Sequence, residues 1–113
     1  MRMLRKVQDV STLPATHRTR HPHDGASELL KALSAPLRIS IVLQLQDRGP
    51  LCVHELVEAL EVAQPLVSQH LRILRAAAIV RGDRRGREVV YALTDEHVGH
   101  IVADAVAHAE EDR

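Results

Sequence analysis

The sequence predicts a mainly α-helical chain with one β-hairpin, arranged as a winged helix-turn-helix and dimerised through its terminal helices. Three observations predict this fold. Two short amphipathic runs, 51–60 and 64–75, are joined by the tight connection Glu61-Val62-Ala63. Two β-type runs then flank a charged, glycine-containing tip within 79–93. Finally, residues 94–111 repeat apolar positions with a helical period.

At 113 residues the chain is sized for one domain. With no Phe or Trp and a single Tyr, the core falls to Leu, Val, Ile and Ala, and so small a core gains from being shared in a dimer. The one cysteine excludes an intrachain disulfide and suits a reducing compartment. No apolar run is long enough to span a bilayer, and residues 1–6 lack the hydrophobic region of a signal peptide. A cytoplasmic location with no membrane partner is therefore expected. Net charge is zero, but it is unevenly placed: residues 64–91 hold six arginines against two acids, and 92–113 hold one arginine against six acids. The first segment has the footprint of a phosphate-binding surface, whereas the second suits a cation.

Residues 1–23, with Pro14, Pro22, His17, His21 and His23, read as a flexible N-terminal arm, and 24–111 as the folded domain. Asp24 is the expected N-cap of a first helix whose Leu29, Leu30 and Leu33 form an apolar face. Ser34-Ala35-Pro36 interrupts it, and Pro36 suits the first turn of a second helix reaching about Gln46. That helix is apolar nearly all round, so it is expected at the centre. Asp47-Arg48-Gly49-Pro50 is turn chemistry.

The helix-turn-helix follows. Its first helix is expected over 51–60, with Val53, Leu56, Val57 and Leu60 as the stripe. In the second, Val67, Leu71 and Leu74 face inward and leave Gln64, Ser68, Gln69 and Arg72 for base edges in a DNA major groove. Leu66 and His70 fit neither set. In the hairpin, Val89, Tyr91 and Leu93 alternate as a half-buried strand should, and Arg84, Arg85 and Arg87 at the tip suit phosphate or minor-groove contact.

Thr94 is the expected N-cap of the last helix, with Asp95 and Glu96 at the end where the dipole favours acids. Its apolar positions are Val98, Ile101, Val102, Ala105, Val106 and Ala109, and Gly99 weakens it. His97 and His108 lie on nearly one face but roughly 16 Å apart, so no single ion reaches both within a chain. Antiparallel pairing with a second copy about a two-fold axis sets His97 opposite His108 and Asp95 opposite Glu111. Two imidazoles and two carboxylates then converge, twice per dimer, as zinc ligands; the alternative is that they are solvated polar residues on the outer face of a dimerisation helix. His100 and Asp104 nearly match as well, as supporting residues or a competing set.

With these residues in view, the sequence resembles the ArsR/SmtB family of metal-responsive bacterial repressors over about residues 29–111. The resemblance rests on Leu33-Ser34-Ala35-Pro36-Leu37-Arg38, Gln64-Pro65-Leu66-Val67-Ser68-Gln69-His70-Leu71, Gly86-Arg87 with Val90-Tyr91, and Asp95-x-His97 followed by His108-x-x-Glu111. Through Cys52-Val53-His54-Glu55-Leu56-Val57 and Ala103-Asp104-Ala105-Val106-Ala107-His108-Ala109 it is most similar to the zinc-responsive actinobacterial branch. The resemblance implies a homodimer that binds an inverted-repeat operator without metal and dissociates when zinc binds the C-terminal helices. It also implies that Asp95, His97, His108 and Glu111 are the zinc ligands.

Two features depart from the family pattern. Members sensing arsenite or cadmium carry Cys-Val-Cys where this chain has Cys52-Val53-His54, and the arm supplies no further thiol. Cys52 therefore reads as a small structural residue, with a Cys52, His54 or Glu55 site using arm histidines as the alternative. Ala63 also replaces the usual Ser or Thr cap of the recognition helix. A nickel- or cobalt-responsive repressor of the same family and a metal-independent winged-helix regulator are the alternative functions. An enzyme is not expected, because a zinc hydrolase needs an open coordination position, a general base and a cleft that the sequence does not supply.

Overall fold

The computed structural model describes residues 21–111. Most of the expected N-terminal arm, His17 included, lies outside the described residues.

Among the described residues, five helices and three strands follow in the order α1 (Asp24–Leu33), α2 (Pro36–Arg48), β1 (Leu51–Cys52), α3 (Val53–Leu60), α4 (Gln64–Ala76), β2 (Val80–Arg85), β3 (Glu88–Leu93) and α5 (Glu96–Glu110). This is the expected winged helix-turn-helix. No helix among the described residues is long and apolar enough to cross a membrane.

Helix α2 lies at the centre. Pro36, whose ring presets a helical φ, opens it, and Gly49 closes it at φ 84°, a conformation that disfavours side chains. It runs two residues past the expected end at Gln46. Ile41, Val42 and Leu45 on α2 are buried with Leu56 of α3, with Val67, Leu71 and Leu74 of α4, and with Ile79, Val80, Val98 and Val102. Leu33 of α1 joins this core, but Leu30 remains 55% exposed. Asp24 sits inside α1 rather than capping it. The N-cap is His23, and the Asp24 carboxylate accepts a hydrogen bond from the His21 backbone N–H at 2.8 Å.

The stretch expected as one helix over 51–60 divides in two. Leu51 and Cys52 are extended and pair antiparallel with Tyr91 and Val90, so the wing is a three-stranded sheet in the order β1-β3-β2. Sheet pairing offers both buried residues cross-strand partners. Val53 then starts α3, which ends at Glu61 in the left-handed conformation with φ 56°.

Helix α4 closes with Ala78 at φ 60°; the Ile79 N–H bonds the Leu74 carbonyl and the Ala78 N–H bonds the Arg75 carbonyl. That is the Schellman arrangement, built here without glycine. The Thr94 hydroxyl donates to the Ala78 carbonyl at 2.8 Å, tying the wing's base to this helix end. Thr94 is thereby removed from capping α5. Asp95 takes that role, its Oδ1 accepting from the N–H groups of His97 at 2.8 Å and Val98 at 3.4 Å.

In β3 the only buried residue is Ala92; Val89, Tyr91 and Leu93 are half-buried. Tyr91 lies opposite Gly82, which has no side chain to cover it. The apolar positions of α5 also divide. Val98, Gly99 and Val102 face the core, whereas Ile101 points outward.

Gly99 places α5 against α2 so closely that a methyl group there would collide with the Gln46 side-chain amide. The Gly99→Ala change should gain about 1 kcal/mol of helix propensity where that amide is absent. Urea unfolding of the Gln46→Ala background should show this gain, and the parent background a smaller one. Equal gains in both would mean that Gln46 does not set the α2–α5 spacing.

Candidate nucleic-acid interface and metal-ligand clusters

Helix α4 buries Val67, Leu71 and Leu74 and so turns Gln64, Gln69 and Arg72 to solvent, with Ser68 half-buried beside them. Ala63 caps it without a side-chain hydrogen bond, and Pro65 in the first turn supports the start. Leu66 is 41% exposed on the same helix. His70 instead faces inward. Its Nδ1 lies 3.0 Å from Nη1 of Arg38, whose Nε donates to the Ala32 carbonyl at 2.6 Å. Arg38 thus pins the end of α1 and the back of α4 to α2, a role invisible in the sequence because the residues are far apart along the chain.

At the wing tip Arg85 pairs with Glu88, leaving Gly86-Arg87 as a two-residue turn with Gly86 at φ 65°. Arg84, Arg85 and Arg87 are exposed. Arg81 is not part of that group, since it bonds Asp83 and the Leu93 carbonyl within the wing. Two exposed polar surfaces, the start of α4 and the arginine-bearing tip, are therefore presented by a helix and a tight hairpin.

The four expected zinc ligands lie on α5 in two separate pairs. Asp95 is extended at φ −157°, which brings its Oδ1 to 3.5 Å from Nδ1 of His97. Asp95 thus reaches His97 from outside the helix proper. His108 and Glu111 lie at the opposite end, and all four residues are exposed. His97, Ile101, Ala105 and His108 recur every three or four residues and form one outward face, away from buried Val98 and Val102. Within one chain the two pairs do not meet.

A second cluster joins α3 to the wing. Cys52 caps α3 and is held by Glu55, whose Oε1 accepts from the Cys52 N–H at 2.9 Å and from the thiol at 3.2 Å. Burial pushes the Cys52 thiol above its usual range, while the hydrogen bond from the Cys52 backbone holds Glu55 below the usual carboxylate range. Cys52 Sγ also lies 3.2 Å from His54 Nδ1, and that nitrogen is 3.4 Å from Oε2 of Glu88 on β3. Among the described residues this is the one group of three metal-type ligands within a chain, its ligand atoms all within 4.8 Å of one another. The residue missing from the sequence reading is Glu88, since β-pairing alone brings it to His54.

Residues 35–81 match the family model described as bacterial regulatory protein, arsR family. The chain is 66% identical over 89 residues to the HTH-type transcriptional repressor SmtB of Mycobacterium tuberculosis, an alignment covering 79% of this chain and 65% of that protein. It is 46% identical over 81 residues to the HTH-type transcriptional regulator NmtR of the same organism, covering 72% of this chain and 67% of NmtR. The structure of HlyU from Vibrio cholerae superposes with a TM-score of 0.70 at 29% identity, over 81% of this chain and 98% of that one. With helix α4 followed by the wing and this sequence agreement, the chain belongs to the arsR family of bacterial regulatory proteins.

Proposed function

We propose that this protein is a transcriptional repressor whose metal-free homodimer holds an inverted-repeat operator in double-stranded DNA and releases it when zinc binds between two copies of α5. The observation that carries this reading is the outward face of α5. It presents Asp95 and His97 at one end and His108 and Glu111 at the other, with Ile101 38% exposed between them. An outward Ile among ligand-type side chains suits a face that meets a second copy, and Leu30 on α1 is exposed in the same way. Antiparallel pairing completes each ligand pair from the partner chain. The likeness to SmtB, named as a transcriptional repressor, supports repression as the outcome.

Two imidazoles with two carboxylates suit zinc, then cobalt; nickel favours more ligands. Asp95 and His97 of one copy with His108 and Glu111 of the other would hold the ion, which would supply a redox-inert cross-link between the two copies of α5. The chain's own residues relate that link to DNA. Asp95 orients the start of α5, Gly99 seats α5 on α2, and Arg38 joins α2 to α4 through His70. The α5 pairing thereby bears on the spacing of the two recognition helices. By linkage, operator DNA weakens zinc binding by the same factor that zinc weakens operator binding.

Gln64, Ser68, Gln69 and Arg72 supply base choice in this reading, while Arg84, Arg85 and Arg87 supply phosphate affinity. Replacing Arg84 and Arg85 by Ala should weaken operator and unrelated duplexes alike. The salt dependence should flatten by about one unit of slope per lost phosphate contact. An unchanged slope would remove the wing from the interface.

The shared zinc site is tested by complementation. His97→Ala and His108→Ala homodimers should each lose tight zinc binding and stay on DNA when zinc is added. Their isolated heterodimer keeps one interface with an intact His97 facing an intact His108. It should regain one tight site per dimer in a zinc titration. A folded, dimeric heterodimer without tight zinc binding would sink the cross-chain site.

A further inference from the structure

We propose that Arg38 and His70 form a relay from α1, whose exposed Leu30 suits contact with a second copy, to the DNA-reading face of α4, with His70 as a positioning residue for Gln69 and Arg72. The proposal rests on the repressor reading above. Its basis is one guanidinium shared by three helices. From α2, Arg38 donates through Nε to the Ala32 carbonyl of α1 at 2.6 Å, and its Nη1 lies 3.0 Å from Nδ1 of His70 on α4. Guanidinium nitrogens only donate, so Nδ1 of His70 is the accepting nitrogen and its ring proton sits on Nε2.

The backbone explains why the guanidinium is needed at α1. The carbonyls of Lys31 and Leu33 accept from the N–H groups of Ser34 and Ala35. The partner that helix geometry would give the Ala32 carbonyl is residue 36, and Pro36 has no N–H. Arg38 supplies the missing donor from two residues further on.

At α4 the same side chain adds direction. Val67, Leu71 and Leu74 share an apolar core with Ile41, Val42 and Leu45, and apolar burial is non-directional. A hydrogen bond at one point of that contact fixes the roll of α4 on α2. A shift of the α1 end therefore moves the guanidinium and the acceptor on α4 together. Exposed Gln69 and Arg72, on either side of His70 along the helix, are re-aimed by that movement. Lysine cannot replace Arg38 here, because a single ammonium lacks the planar fork that spans both partners.

The test is the zinc response of DNA binding by the full chain, on a duplex that the parent selects from a random-sequence library. His70→Leu and Arg38→Lys should each shrink the ratio of duplex dissociation constants with and without zinc by about threefold to tenfold. His70→Asn, whose Oδ1 can stand where Nδ1 stood, should restore the parental ratio. Zinc affinity without DNA should be unchanged in all three, since the α5 residues are untouched. Nitrogen NMR of the parent imidazole should find Nδ1 unprotonated and Nε2 protonated. A protonated Nδ1, or parental ratios in variants that lose only urea stability, would overturn the relay and leave the contact purely structural. A parent whose duplex affinity ignores zinc would instead refute the repressor reading, and the relay with it.

Discussion

Packing on α2 is the constraint from which the rest of the molecule follows. The core has no large aromatic side chain to bridge gaps, so helices must approach closely for Ile, Val and Leu to interdigitate. Ile41, Val42 and Leu45 leave no room for polar groups, and among the described residues no polar or charged residue is buried. Every other helix is placed by how it meets this one. α4 packs Val67, Leu71 and Leu74 into the common core, and α5 packs Val98 and Val102.

The same constraint decides which residues remain available for chemistry. Because α4 spends its apolar stripe on the core, its glutamines and Arg72 are left outside. Because α5 turns Val98 and Val102 inward, its histidines and carboxylates are left outside too, together with Ile101. The two candidate functional surfaces are the polar faces left over by one packing arrangement. Both are connected through α2, by Gly99 against Gln46 on one side and by Arg38 against His70 on the other. This gives a protein with a small core a short physical route between α5 and α4.

The wing contributes in a second way. Pairing of β1 with β3 closes the sheet onto the N-terminus of α3, so the helix-turn-helix and the wing are joined by backbone hydrogen bonds. Cys52 stands at that junction as strand residue, helix cap and partner of Glu55 and His54. Burial at that junction pushes its thiol above the usual range.

Much of this was legible from residue order. Helical periods marked the five helices among the described residues, alternation with a glycine tip marked the wing, and Gln64, Gln69, Arg72, Arg84, Arg85 and Arg87 were marked as exposed because the apolar positions between them claimed the other face. Such features are local, so a window of a dozen residues contains them. Only the tertiary structure decided the rest. Leu51 and Cys52 are extended because Tyr91 and Val90 lie beside them, not because of their neighbours in sequence. Thr94 bonds Ala78, which leaves the cap to Asp95 and so brings Asp95 to His97. Glu88 meets His54 for the same reason. Long-range pairing satisfies backbone and side-chain groups that a local reading assigns elsewhere, and no period in the chain records it.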